Sequence, residues 1–334
     1  MASYRKYLVE RTLTFIISMF FSITIVFLVP RLAPGDPIKT ALEQVIVGGG
    51  SEIEKTVEEY KRMLGLDKDL ATQYIFYIKE LFRGNLGYSI MYFPTPVIDI
   101  IMRAIPWSIG LLTTTTILSW IIGTFIGAIA GWRGEGSRFF NILAFIALGL
   151  YVIPYYIFAV ILAYLFGYII RIFPLSGGYT PGLMPSLNLE FILDVIWHST
   201  LPALSIILSS LGWWFLSMRS MIINVKGEDF ILMAEAKGLR KNRILWKYAF
   251  RNAILPQVTG LALSLRNVVG GALLTEVIFA YPGVGYLIFT AITNMDYPLI
   301  QGAVLFLIFT TCFLNFAIDI LYPLVDPRIR YGEE

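Results

Sequence analysis

Residues 229–256 read DFILMAEAKGLRKNRILWKYAFRNAILP and lie between two long apolar segments of the 334-residue chain. Gly238 predicts the end of a first helix, because glycine adopts the left-handed conformation of a helix cap at no steric cost. Asn242 predicts the cap of a second helix, and Pro256 predicts the entry to the next apolar segment. The stretch therefore predicts a structured helix pair and not a simple connector.

The second helix of this stretch has two different faces. Its basic residues recur at i, i+3, i+7 and i+11 and share one face, namely Arg240, Arg243, Lys247 and Arg251. Its other face is formed by Ile244, Leu245, Tyr248 and Ala249. The first helix carries small residues at Ala234, Ala236 and Gly238, which would let another protein surface approach the backbone. Two interpretations follow: a docking element for a soluble partner, or a basic connector that contacts lipid headgroups.

The composition is that of a membrane protein. Hydrophobic residues make up 57% of the chain and charged residues 15%, with a mean hydropathy of +0.71, a balance that soluble domains do not have. The single cysteine, Cys312, and the single histidine, His198, predict no intrachain disulfide and no polyhistidine metal site. The GxxxxGK[ST] loop of ATP-hydrolysing proteins does not occur in the sequence. We therefore expect no catalytic residues, no bound metal and no cofactor.

Six apolar segments have about the 20 residues that a bilayer core requires. They cover approximately residues 11–30, 107–131, 139–167, 199–219, 257–280 and 301–323. The first has basic residues before it but no small-x-small cleavage site, which predicts a retained anchor over residues 1–30. The pattern predicts an all-α, polytopic membrane protein with six transmembrane helices.

The distribution of basic residues predicts the orientation of these spans. Lys and Arg are enriched at the N-terminus, in the 132–138 and 220–256 connections and in the tail, whereas residues 281–300 contain none. Because short loops rich in Lys and Arg stay inside, both termini are expected in the cytoplasm. Residues 31–106 then form a small exterior subdomain with amphipathic helices over 51–66 and 71–82. Residues 107–323 form the transmembrane core, which includes the 220–256 connection, and residues 324–334 form a cytoplasmic tail.

Three polar residues lie within the fifth predicted span, namely Arg266, Asn267 and Glu276. An arginine at the centre of a membrane helix costs roughly 2.5–3.5 kcal/mol on insertion scales, so these side chains should face a cavity or a partner. One interpretation places Arg266 and Asn267 along a translocation path. In the alternative interpretation, the side chain of Arg266 is hydrogen-bonded to backbone carbonyls of other helices or paired with Asp319. For Glu276, a structural bond near the outer end of the span is favoured over substrate contact.

Several motifs together carry a family resemblance. AEAKGLRKNRILWKYAFRNAILP (234–256) resembles the EAA-type loop of ABC importer permeases, in the form of the dipeptide/oligopeptide/nickel permease family, although the residues at 233–235 are Met, Ala and Glu. Seven further segments are similar to the same family in the same order: RLAPGDP (31–37), LGLDKDLATQY (64–74), GNLGYS (84–89), PLSGGYTPG (174–182), TEVIFAYPGVG (275–285), MDYPLIQG (295–302) and DPRIRYG (326–332). The resemblance covers nearly the whole chain.

The resemblance implies a type I ABC importer permease in the cell membrane. Its expected partners are a second, homologous permease, two ATP-binding subunits that hydrolyse the ATP, an exterior solute-binding protein and the lipid bilayer. The expected ATPase-docking residues are Asp229, Phe230, Ala234, Glu235, Ala236, Lys237, Gly238 and Leu239.

The expected cargo is an oligopeptide or dipeptide, with oligosaccharides as the alternative. A secondary carrier without an ATPase, and a membrane anchor without a transport role, are further alternatives. The carrier would more often show inverted repeats and acidic residues in broken helices, neither of which is evident. The anchor would not need charges such as Arg266 within a span.

Overall fold

The computed structural model of the chain describes residues 2–32, 68–134, 137–266, 268 and 272–325, and only the backbone of 2–5, 266, 318 and 321–325. Asn267, the helix predicted over 51–66 and the predicted tail beyond residue 325 lie outside the described residues. Across the described ranges the regular secondary structure is helical. The all-α fold class is confirmed.

The helices follow one another in this order: α1 Ala2–Leu32, α2 Leu70–Phe82, α3 Val97–Arg133, α4 Arg138–Val152, α5 Tyr155–Leu162, α6 Leu189–Lys226, α7 Asp229–Ala236, α8 Lys241–Ile244, α9 Phe250–Arg266, α10 Leu273–Ile278, α11 Val284–Thr293 and α12 Tyr297–Val325. Two π-helical segments, Ala163–Ile169 and Leu245–Ala249, continue α5 and join α8 to α9. The helix predicted over 71–82 is confirmed as α2, whose first turn is capped by Asp69.

Four described helices are long and apolar enough to cross a membrane, namely Lys6–Leu32, Val97–Arg133, Leu189–Lys226 and Tyr297–Ala317. A fifth crossing is possible over α4 and α5, which are bent by 95°. The span predicted over 139–167 is thus covered by a bent helix pair, and Pro154 at the bend supplies no N–H for a continuous helix. The predicted span 257–280 is divided between α9 and α10, so the count of six spans remains a prediction.

The chain forms two compact units, residues 1–106 with 283–334, and residues 107–282. In the first unit α1 packs along α12. The rings of Phe15 and Phe316 stack at 4.9 Å, and the amide of Gln301 donates to the carbonyl of Val26 at 3.0 Å. Arg11 lies 3.4 Å from the carboxylate of Asp319. These contacts show that the N-terminal helix is part of a packed unit.

A buried carboxylate organises the start of α12 in the same unit. Asp296 is fully buried, and it accepts hydrogen bonds from the hydroxyl of Ser89, from the backbone N–H of Met91 at 3.1 Å and from that of Leu299 at 3.2 Å. Because a carboxylate away from water needs such donors, Asp296 fixes the 89–91 loop against the first turn of α12.

In the second unit, α3 and α6 approach each other at backbone distance. Gly123, Gly127 and Gly131 recur every four residues on α3. A β-carbon on Gly127 would lie 2.5 Å from the carbonyl oxygen of Phe215, and one on Gly131 would lie 2.7 Å from that of Arg219. This spacing of small residues is a known way of packing membrane helices closely.

Candidate docking segment and buried polar residues

The segment from α7 to α8 begins with a short helix that ends as the sequence predicts. The φ angle of Gly238 is +70°, and the N–H groups of Gly238 and Leu239 bond back to the carbonyls of Glu235 and Ala234 at 2.8 and 3.3 Å. A β-carbon on Gly238 would meet no heavy atom within 4 Å. Glycine is therefore required here by the backbone conformation and not by crowding.

The second helix differs from its prediction at its start, and it continues without a break past Pro256. It begins at Lys241 with Arg240 as the cap residue, so the prediction that Asn242 caps this helix is wrong. The side chain of Asn242 instead accepts a hydrogen bond from Arg133 at 3.1 Å. Pro256 lies inside α9 and does not mark the start of a new helix. The chain thus remains helical from Lys241 through the π-helical segment to Arg266.

One face of this helical run is packed into the second unit. Of the four residues that form the second face in the sequence, Ile244, Leu245 and Ala249 are buried and Tyr248 is partly buried. They join a cluster that also contains Ala128, Trp132, Met218, Ile222, Ile231, Ala234 and Ala253. The cluster includes residues of α3, α6, α7 and α9. Residues 229–256, here called the platform, are therefore packed against the membrane-length helices α3 and α6. A displacement of the platform would be transmitted to both helices.

The opposite face of the platform is open. Arg240, Arg243, Lys247 and Arg251 are exposed. On α7, Phe230, Glu235 and Ala236 are exposed, whereas Ala234 is 3% exposed and packs inward. The three small residues thus do not share one face, because positions two apart on a helix point in different directions. The outward surface of α7 includes Phe230, Leu232, Met233 and Ala236.

Glu276 is fully buried in the second unit. The hydroxyl of Ser108 on α3 donates to its Oε1 at 2.7 Å, and the N–H of Tyr281 donates to its backbone carbonyl at 2.8 Å. Nearby, the hydroxyls of Tyr281 and Ser199 are 3.0 Å apart. These bonds connect α10 to α3 and connect the chain after α10 to α6, as a structural role for Glu276 would require.

A turn of the 174–182 motif packs against the same region. The N–H of Gly177 donates to the carbonyl of Phe279 at 2.9 Å. A β-carbon on Gly178 would lie 2.8 Å from both Pro282 and Trp107. Trp107 also stacks on Tyr179 with ring centroids 5.9 Å apart. This aromatic cluster lies near the N-terminal half of α6, whereas the platform lies near its C-terminal half.

The described residues contain only part of the predicted substrate path. The side chain of Arg266 and all of Asn267 lie outside them, so their roles stay predictions. Asp319, the alternative partner considered for Arg266, lies close to Arg11 of α1. No group of His, Cys, Asp and Glu that could hold a metal ion occurs among the described residues.

Sequence reasoning missed a buried glutamine on α9. Gln257 is 2% exposed, and its amide donates to the hydroxyl of Ser217 on α6 at 2.7 Å. The indole N–H of Trp120 on α3 donates to the backbone carbonyl of Gln257 at 3.2 Å. The only signal in the sequence was a polar residue next to Pro256 in an apolar segment. These bonds fix the first half of α9 against α3 and α6.

Comparison with known proteins identifies the family. Residues 123–331 match the family described as binding-protein-dependent transport system inner membrane component, and residues 4–111 match its N-terminal companion. The chain belongs to this family of membrane permeases.

Several relatives are similar over almost their whole length. The probable peptide ABC transporter permease protein y4tP of Sinorhizobium fredii is 31% identical over 97% of this chain and 99% of its own. The oligopeptide transport system permease protein AppB of Bacillus subtilis is 32% identical over 97% and 99%. The di/tripeptide transport system permease protein DppB of Pseudomonas aeruginosa is 32% identical over 97% and 98%. The predicted membership in the peptide-type permeases is confirmed.

Proposed function

We propose that this chain is a permease subunit of an ATP-driven importer that takes up oligopeptides or dipeptides from a solute-binding protein. The observation that carries the proposal is near-full-length similarity to permeases named for peptides. The packed platform supports this proposal, because the ATP-binding subunits of an importer need a rigid contact surface on the permease. The three relatives are named for peptides and not for sugars, which leaves the oligosaccharide alternative without similar support.

In this proposal the partners are a second homologous permease, two ATP-binding subunits and an exterior solute-binding protein. The ATP is bound and hydrolysed by the partner subunits, and the permease itself holds no cofactor. Both termini and the platform face the cytoplasm, in keeping with the exposed basic residues of the platform.

Coupling follows from the packing of the platform. The outward residues Phe230, Met233 and Ala236 form the contact with an ATP-binding subunit. A force on α7 passes through Ile231 and Ala234 into the buried cluster, and from there into α3 and α6. Because packed cores move as units, ATP-driven closure of the partners displaces these helices as rigid bodies and changes access to the path.

The cargo is tested with the assembled transporter and its solute-binding protein in sealed vesicles. We expect ATP-dependent uptake of a labelled peptide and no uptake of a cello- or xylo-oligosaccharide of similar mass. Uptake of the sugar alone would contradict the peptide assignment. Peptide uptake driven by an ion gradient without ATP would support the secondary carrier instead.

The docking surface is tested with Ala236→Trp, which places a bulky side chain on the exposed face of α7. Because overpacking an interface costs about 1–3 kcal/mol, we expect ATP-driven uptake to fall by about tenfold while ATP hydrolysis becomes independent of cargo. Leu189→Trp is the matched control, since it adds the same side chain at the exposed first residue of α6. Normal coupling in an assembled Ala236→Trp transporter would exclude this surface.

A further inference from the structure

Arg219 on α6 has an incompletely satisfied guanidinium. Its Nη2 donates to the side-chain oxygen of Asn141 on α4 at 3.4 Å, a long hydrogen bond. Its Nε is buried and has no hydrogen-bond partner in the described part of the chain. Arg219 as a whole is only partly buried, so the rest of its guanidinium can reach a ligand at the surface. An unpaired charged donor favours such a ligand.

A second arginine, Arg138, lies close to Asn141 on α4. Arg138 is exposed and precedes Asn141 by three residues. Residues three apart on a helix are neighbours, with β-carbons about 5–6 Å apart. The side chain of Ser137, at the start of α4, makes no cap hydrogen bond. The N–H groups of the first turn thus add to the attraction for an anion.

The surface of α4 that continues from these polar residues is apolar and open. Phe139, Ile142 and Phe145 are 68%, 61% and 77% exposed. Phe145 lies one helical turn beyond Asn141, on the same face. A small soluble anion would occupy the arginines and leave these side chains uncovered. A ligand with an anionic head and apolar chains satisfies both parts of the surface.

We propose that Arg219, Arg138 and Asn141 bind the phosphate of an anionic membrane phospholipid, with its acyl chains along Phe139, Ile142 and Phe145. The arginines hold the headgroup, because planar guanidinium groups bond well to phosphate oxygens. The site lies near the contact of α6 with Gly131 on α3. The bound lipid therefore supports the helix pair on which the platform packs.

The test uses the assembled transporter in a neutral detergent, titrated with dioleoylphosphatidylglycerol or dioleoylphosphatidylcholine. Bound lipid is counted by native mass spectrometry, and the midpoint of thermal unfolding is followed in parallel. We expect preferential binding of phosphatidylglycerol and about tenfold weaker binding in Arg219→Gln, as loss of charge-assisted hydrogen bonds implies. Arg138→Gln should weaken binding in the same direction.

Arg251→Gln is the matched control, because it removes one exposed positive charge from the platform and leaves the site intact. An equal loss in Arg251→Gln and Arg219→Gln would mean diffuse attraction and would overturn the proposal. Competition by glycerol phosphate at the lipid's own concentration would mean a soluble-anion site and would also overturn it. If the isolated chain prefers phosphatidylglycerol but the assembled transporter does not, a partner subunit covers this surface. That result would also overturn the proposal. Should Arg219→Gln not assemble, Arg138→Gln must still weaken binding for the proposal to stand.

Discussion

At the scale of single residues, Glu276 is a polar contact whose role can be measured. We expect Glu276→Gln to retain most of the stability, because the amide oxygen can still accept the hydrogen bond from Ser108. Glu276→Ala removes that acceptor, and the lost bond costs about 1–3 kcal/mol. The stability of both variants is measured as the midpoint of thermal unfolding of the purified protein in detergent. Equal losses in the two variants would mean that the charge matters and not the bond.

Single residues also differ in how far their conformation and contacts could be predicted from the sequence. The left-handed conformation of Gly238 was predictable, because few other residues adopt it. Helical periodicity also shows that Ala234 and Ala236 cannot share a helix face. That Ala234 is the one packed inward was not predicted, because its burial depends on contacts with distant helices. The contact between Ser89 and Asp296 was not, because 207 residues separate them and no local pattern relates them.

At the scale of elements, the cap of α2 should respond to pH. The side-chain hydrogen bond from Thr72, followed by the backbone N–H of Thr72, lowers the pKa of Asp69 below its usual value. A carboxylate with a lowered pKa stabilises the folded state above its unfolded pKa and loses that effect as the pH falls through its folded value. We expect the Thr72 amide to lose hydrogen-exchange protection, corrected for intrinsic rates, as the pH falls below the usual aspartate pKa of about 3.9.

Asp69→Asn is the control for this titration. Asparagine is a good cap residue without a titrating group. Its protection at Thr72 should therefore not change over the same pH range. A similar loss of protection in Asp69→Asn would show that some other group is responsible.

The close packing of α3 on α6 makes a second prediction at this scale. Gly127→Ala would place a β-carbon 2.5 Å from the carbonyl oxygen of Phe215, a backbone atom that no rotamer change can move. We expect a destabilisation of about 1–3 kcal/mol, seen as a lower midpoint of thermal unfolding. Gly110→Ala, on the same helix, meets no atom within 4 Å and should be neutral or stabilising. A neutral Gly127→Ala would mean that the helices can separate without cost.

Elements also show where hydropathy alone is insufficient. Apolar length predicted four of the spans, because a bilayer requires that length. It could not distinguish one long helix from the bent pair α4 and α5, since both are equally apolar. Pro154 was the available signal for the bend.

At the scale of the whole molecule, the proposed orientation is tested with two cysteine variants. Cys312 is first replaced by Ser, so that the background has no thiol. Glu190→Cys and Asn242→Cys then each place a thiol at an exposed position, near the start of α6 and on the platform respectively. A membrane-impermeant maleimide should label residue 190 in intact cells and residue 242 only after lysis. Labelling of residue 242 from outside would reverse the proposed topology.

The glycines of α3 also limit how this protein can diverge. No amino acid is smaller than glycine, so every substitution at Gly123, Gly127 or Gly131 adds a β-carbon closer than 3.0 Å to α6. At Gly127 and Gly131 the nearest atoms are the backbone carbonyl oxygens of Phe215 and Arg219, which a shorter side chain on α6 would not remove. At Gly123 the nearest atom is the β-carbon of Trp214, which every residue but glycine carries. In a saturation library of this helix, these three codons should therefore be among the least tolerant of change, whereas Gly110 and the outward apolar positions should drift freely among similar residues.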